Sequence, residues 1–196
     1  MSEIEETKDI DEEVFPFIEG KTIDLVAGSS KWAKLLCKWN NAPNVRYYVR
    51  NLWPLTLEDI KKWFEPPVER HTKDFVVFTI YHKVEKRPIG NIGFGRIRWV
   101  DRSAIISGVI GEVDHWGRGI IVEAAKLLIE YGFRELNLHK INAELLTPDK
   151  RSLRVAEKLN FKKEAILKEQ MYVDGQYQDV NKFSLFKRDW LKLNAL

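Results

Sequence analysis

One cysteine, Cys37, stands among 196 residues. That excludes an internal disulfide and any thiolate-rich zinc site, and a reducing cytoplasm is the compartment that fits. Long apolar runs are missing too. They stop at stretches such as Phe75-Val76-Val77-Phe78, far short of the ~20 residues a membrane-crossing helix needs, so no membrane partner is expected. The start, MSEIEETKDIDEE, has neither the positive charge nor the apolar centre of a secretory signal, and none is expected. No internal repeat or low-complexity tract appears. His71 and His115 show no partner at metal-ligand spacing, so no metal is expected.

What is present is core material and charge. At 44% hydrophobic with seven Trp, the chain can build a globular core and does not read as disordered. The length suits one domain with an appendage. The net charge of +3 hides an asymmetry, because residues 1–13 hold seven acids against Lys8. Removing them leaves 31 basic residues against 22 acidic ones, a balance of about +9. Residues 1–13 therefore read as a mobile acidic tail, and residues 14–196 as a single domain. A basic body suits phosphate-bearing ligands, although ordinary solvated surface explains it as well. The basic residues are scattered, so no direct nucleic-acid partner is expected.

The patterning predicts a mixed fold. A strand over Lys21–Ala27 precedes an amphipathic helix in which Trp32, Leu35, Leu36 and Trp39 share a face, ending near Asn40–Pro43. Val45–Leu55, aromatic and basic without a period, reads as a loop or short extended stretch. Thr56 caps a second helix, which Pro66-Pro67 would stop. From Lys73 three strands follow as an antiparallel meander: KDFVVFTIYH, PIGNIGFGRIRWV and AIISGVIGEV. Then come a helix over Gly117–Arg134, a strand over His139–Thr147, and a helix from Pro148 to Leu159 with Asn160 as its left-handed cap. A hairpin turning at Asp174-Gly175 closes the chain.

Chemistry concentrates in Ile105–Arg134. Strand, glycine turn and helix in that order aim several amides at a helix N-terminus, which suits an anionic, phosphate-bearing ligand. The turn His115-Trp116-Gly117-Arg118-Gly119 lacks the Gly-Lys-Ser/Thr ending of a Walker loop and the three glycines of a dinucleotide fingerprint. Alone it is a weak signal.

In combination it is stronger. W-G-R-G-x-x-x-E-A-A at 116–125 after a meander resembles the GNAT superfamily of acetyl-CoA-dependent N-acetyltransferases, and within it the RimJ/RimL-type branch that acetylates ribosomal-protein N-termini. The stretch TPDKRSLRVAEKLNF at 147–161 and the ending D-G-x-Y-x-D-V-x-x-F-S-L at 174–185, followed by Arg188, Asp189 and Trp190, are similar to further motifs of that group. The likeness spans roughly residues 18–190. It implies an α/β (α+β) fold, with a central mixed, mostly antiparallel sheet of about seven strands, about four flanking helices, and a splay between the fourth and fifth strands. It implies acetyl-CoA as cosubstrate without a metal, an amine acceptor, and direct transfer without an acyl-enzyme. A homodimer is compatible with it.

The resemblance also assigns residues. The strand Ser107–Val113, with Ile110, Gly111, Glu112 and Val113, would bind the pantetheine arm and polarise the thioester carbonyl, with Gly108 and Gly111 easing a bulge. The turn Trp116, Gly117, Arg118, Gly119, Ile120, Ile121 and Val122 would meet the pyrophosphate. Asp149, Arg151 and Ser152 would complete the cofactor wall. Glu144 is the candidate base, acting through water, with Glu112 as competitor. Ser152 is the candidate proton donor to the thiolate. Tyr47, Tyr48, Trp53 and Tyr172 would line the acceptor groove, though the first three could equally pack as core, and Tyr172 and Tyr177 are alternative donors. Three positions depart from the pattern: Ile121 for a small residue, Asp149 for Asn, and Asn160 for Gly. The acceptor expected is a protein N-terminus; a polyamine or antibiotic amine is the alternative, and a non-catalytic acyl-CoA-binding module a further one.

Overall fold

The computed structural model describes residues 14–65 and 73–194. The acidic stretch 1–13, His71 and the expected stop at Pro66-Pro67 lie outside the described residues. The chain runs β1 (Pro16–Glu19), β2 (Ile23–Ala27), α1 (Ala33–Asn41), α2 (Pro43–Val49), α3 (Leu57–Lys62), β3 (Val76–His82), β4 (Arg87–Arg98) and β5 (Ser103–Ile110). It continues through α4 (Ile120–Arg134), β6 (Lys140–Leu146), α5 (Lys150–Lys158), β7 (Lys162–Val173), β8 (Gln176–Phe186) and α6 (Lys187–Leu193). One sheet takes all eight strands in the order β1-β2-β3-β4-β5-β6-β8-β7. Neighbours are antiparallel except β5 and β6, which pair in parallel only from Ser103↔Lys140 to Ile105↔Asn142.

The mixed, mostly antiparallel α/β architecture is the expected one, with three elements beyond those read from the sequence. β1 is too short to announce itself. Phe17 secures it by stacking on Phe78 at 5.3 Å and meeting Tyr131 edge-on at 5.6 Å. The Val45–Leu55 loop reading is corrected by α2. Pro43 stops α1 but also opens α2, because the N–H of a first helical residue has no intrahelical acceptor and proline loses nothing by lacking it. The run Arg188-Asp189-Trp190 belongs to α6, not to the closing hairpin; Trp190 is buried and packs on Phe133 at 5.5 Å.

The sheet carries helices on both faces. On one, α4 buries Ala124, Ala125, Leu128, Ile129 and Phe133, a stripe at helical spacing, against Phe94 and Ile141. Contact is close enough that a Cβ on Gly132 would meet the Phe94 ring at 2.7 Å. On the other face Leu36, Trp39, Val45 and Ile60 of α1, α2 and α3 form a second cluster. Between these layers the sheet opens at the β5–β6 join.

Candidate active site

The opening follows from two local events in β5. At its end the N–H groups of Gly111 and Glu112 both donate to Ile89 O, at 2.8 and 3.2 Å, the two-on-one pattern of a bulge. A Cβ on Gly111 would collide with the Trp39 indole, so glycine is what lets α1 press onto this bulge. On the other edge, Arg102 O accepts from His139 and Lys140, so even-numbered residues of β5 turn their main chain towards β6. The ladder ends at Ile105↔Asn142, where the Asn142 amide adds a bond to Ala104 O at 3.3 Å. Beyond it Gly108 and Ile110 face a gap, and Ile110 O accepts from the Trp116 indole N–H at 2.7 Å.

A cavity of about 410 Å³ fills that gap on the α4 side of the sheet. Ile106 to Ile110, Trp116, Gly117, Gly119, Ile120, Ile121, Val122, Asp149, Arg151 and Ser152 all line it. Gly117 and Gly119 adopt φ of 78° and 81°, left-handed geometry that favours glycine. Two boundaries differ from expectation. β5 stops at Ile110, with Val113 in a one-turn 3-10 helix, Val113–His115. The long helix starts at Ile120 rather than Gly117, since the two left-handed glycines cannot belong to it. Gly111, Glu112 and Val113 therefore line a separate cavity of about 260 Å³, with Lys38, Trp39 and Asp114. Arg118 is exposed.

The departures from the motif have local explanations. Ile121 packs over Gly108, where an added Cβ would lie 3.1 Å from its Cδ1, so one missing side chain accommodates the larger one. Asp149 caps α5 by accepting from Ser152 N at 3.1 Å. Asn160 sits at φ 61°, as a left-handed helix cap requires. Arg151 lies over the Trp116 ring, 4.7 Å from its centroid.

The two candidate bases occupy different settings. Glu112 accepts from Trp39 Nε1 at 2.7 Å and pairs with Lys38 and Arg87 at 3.3 Å each. Burial opposes its ionisation, but these donors outweigh it and hold the carboxyl below the ordinary glutamate range. Glu144 alternates along β6 with the cavity-lining Ala143 and Leu145, so it projects from the opposite face, half-buried. Lys182 is its cross-strand partner in β8. Among the described residues, no hydrogen bond or ion pair engages its carboxylate.

Tyr47 and Tyr48 lie on α2, with Tyr47 half-buried. Trp53 is exposed in the following loop. Tyr172, also exposed, meets Tyr177 at 5.2 Å. Arg50, left-handed at the end of α2, donates to Tyr172 O at 2.9 Å and ties that loop to the β7–β8 hairpin. Arg50 belongs to the aromatic-basic stretch that the sequence singles out, whereas sequence reasoning missed Trp39 and Asn142. Trp39 carried a helix-periodic signal that reads as core, and nothing local marks Asn142.

An acetyltransferase (GNAT) domain model matches residues 28–162, more than half of the chain. The chain belongs to the GNAT acetyltransferase family. An uncharacterized N-acetyltransferase, p20, of Bacillus licheniformis is 31% identical over 163 residues, covering 81% of this chain and 89% of that one. The [ribosomal protein uS5]-alanine N-acetyltransferase of Escherichia coli is 30% identical over 115 residues, 58% of each chain. Among solved structures, the spermidine N-acetyltransferase of Vibrio cholerae in complex with CoA and spermine superposes with a TM-score of 0.78 at 23% identity, covering 87% of this chain and 98% of that one. That likeness is one of fold. This GNAT enzyme is thus an N-acetyltransferase with acetyl-CoA as its cosubstrate. No helix among its described residues is long and apolar enough to cross a membrane.

Proposed function

We propose that the enzyme acetylates the amino terminus of a protein or peptide, as ribosomal-protein acetyltransferases of the RimJ/RimL type do. The observation that carries this reading is the charge around Glu144. Lys182 faces it across the β6–β8 ladder. A primary amine meets one carboxylate there, whereas the further ammonium groups of a polyamine would meet Lys182 rather than a second carboxylate. The exposed rings of Trp53, Tyr172 and Tyr177 suit the side chains and backbone of an extended peptide.

In this reading acetyl-CoA lies in the α4-side cavity with its pyrophosphate on the amides of the 117–122 turn. The main-chain groups of Gly108 and Ile110 hold the pantetheine arm and polarise the thioester carbonyl. The acceptor enters from the opposite face. Glu144 takes one proton from the ammonium through water and the neutral nitrogen attacks the carbonyl carbon. As the C–S bond breaks, Ser152 gives its proton to the departing sulfur and is restored, through water, by the second proton leaving the nitrogen. Glu112, already committed to three donors that lower its proton affinity, anchors α1 to the bulge.

Polyamine acetylation is the second reading, supported by the fold shared with the Vibrio cholerae enzyme. Thiol release from acetyl-CoA, measured with Ala- and Ser-initiated peptides beside spermidine and spermine, separates the two. Peptides are expected to give at least about tenfold higher kcat/KM, equivalent to one cation repulsion of roughly 1.4 kcal/mol. A preference for spermidine would overturn the peptide assignment.

A further inference from the structure

The β3–β4 turn and the turn leading into α4 meet around a cluster that acetyl transfer does not use. His82 ends β3, Glu85 lies in the turn after it, and His115 ends the 3-10 turn Val113–His115. One donor atom from each lies within 4.8 Å of the other two. His115 Nε2 is 2.9 Å from Glu85 Oε1, and His82 Nδ1 is 3.8 Å from Glu85 Oε1. Ligand atoms held 2.0–2.1 Å from a tetrahedral zinc ion stand roughly 3.3 Å apart, between those two distances.

The surroundings match a metal centre independently. His115 Nδ1 is 3.1 Å from Asp114 Oδ1. Once a metal displaces the Nε2 proton that bridges to Glu85, a carboxylate on Nδ1 keeps the remaining proton there and leaves the Nε2 lone pair to the ion, the usual outer-shell arrangement of a zinc-bound histidine. Arg87 holds the other oxygen of Glu85, Oε2, at 2.8 Å and leaves Oε1 facing both imidazoles. The His115 side chain is 1% exposed and that of His82 13%, while Glu85 is 34% exposed and opens a path to solvent. Glu85, Asp114 and Glu112 outnumber the cations Arg87 and Lys38, so a dication meets a net negative environment.

We propose that His82, Glu85 and His115 form a structural site for a borderline divalent transition metal of the zinc type, with water as fourth ligand. Binding needs both imidazoles neutral. It displaces the proton shared by His115 Nε2 and Glu85, together with the 3.2 Å contact from Glu85 N to His82 Nδ1. The ion pins the β3–β4 turn to the segment immediately before Trp116-Gly117-Arg118-Gly119. It takes no part in moving the acetyl group.

The test uses the full chain, stripped with a chelator and titrated with Zn²⁺ against a chromophoric competitor, with Mg²⁺ alongside. One zinc per chain is expected, with a melting temperature raised roughly 5–10 °C at a hundredfold excess over Kd, and no response to Mg²⁺. Co²⁺ should give the visible bands of a four-coordinate ion. His82→Asn and Glu85→Gln, both on the turn side of the cluster, should each weaken zinc at least about tenfold, a loss that removal of even an outer-shell partner typically causes. Less than one zinc per chain, or equal binding by wild type and both variants, would overturn the site.

Discussion

Single residues set the two candidate carboxylates apart. Glu112 and Glu144 look alike in sequence, yet one is saturated by Trp39, Lys38 and Arg87 and the other is not. Glu144→Gln is expected to lower kcat by about 10²–10⁴-fold, the usual contribution of a positioned base, with the KM for acetyl-CoA nearly unchanged. A matching loss in both constants would point to binding instead. For Glu112 the folded carboxyl lies below its unfolded value of about 4.3, so its stabilisation is complete above that pH and is lost as pH falls through the depressed folded value. Glu112→Gln should therefore reduce stability near neutrality and flatten the acid limb of a denaturation-versus-pH curve. At Gly111 the constraint is steric. Gly111→Ala forces a methyl into the Trp39 ring and should cost about 1–3 kcal/mol in urea unfolding.

Elements carry the second layer of control. The first turn of α3 is held by a full capping box, with Asp59 N donating to Thr56 Oγ1 at 3.1 Å and Thr56 N donating to Asp59 Oδ2 at 3.0 Å. Thr56→Ala is expected to cost about 1 kcal/mol, a melting-point drop of roughly 2–4 °C for a chain of this size. A different prediction belongs to the turn before α4. Its Trp116 indole both seats Arg151 and closes Ile110 O. Trp116→Phe keeps a ring for Arg151 and removes the N–H, leaving the end of β5 less restrained. The KM for acetyl-CoA should rise several-fold with little change in global stability. An unchanged KM would show that the bulge holds this strand without help. These elements were unequally legible. The α4 stripe and its glycine turn are local patterns, whereas α2 was obscured by Pro43, which ends one helix and begins the next with the same fixed φ.

At the scale of the molecule, the proposed mechanism puts the two reactants on opposite faces of the sheet. The cavity lies on the α4 face and Glu144 on the other, with the β5–β6 gap between them. Cys37 stands apart from this arrangement, on α1 with its thiol 3.3 Å from Leu55 O in the loop before α3. Initial-rate kinetics should therefore show intersecting double-reciprocal lines. Cys37→Ser should keep activity within about twofold, since no covalent acyl-enzyme is called for. Ping-pong kinetics or an inactive Cys37→Ser of native stability would refute direct transfer.

The sequence by itself determined the meander, the glycine turn, the α4 and α5 helices, the closing hairpin and, through three ordered motifs, the family and its cosubstrate. All of these depend on near neighbours: periodicity, caps, and φ-positive residues such as Gly117, Gly119 and Asn160. Tertiary structure alone decided which face Glu144 occupies, why Ile121 is tolerated over Gly108, and how Arg50 reaches Tyr172 O. It alone brings His82 and Glu85 to His115, thirty residues after Glu85 in the chain. Side-chain chemistry is written locally, but the distance between two side chains is set by strand register and by how helices pack across the sheet.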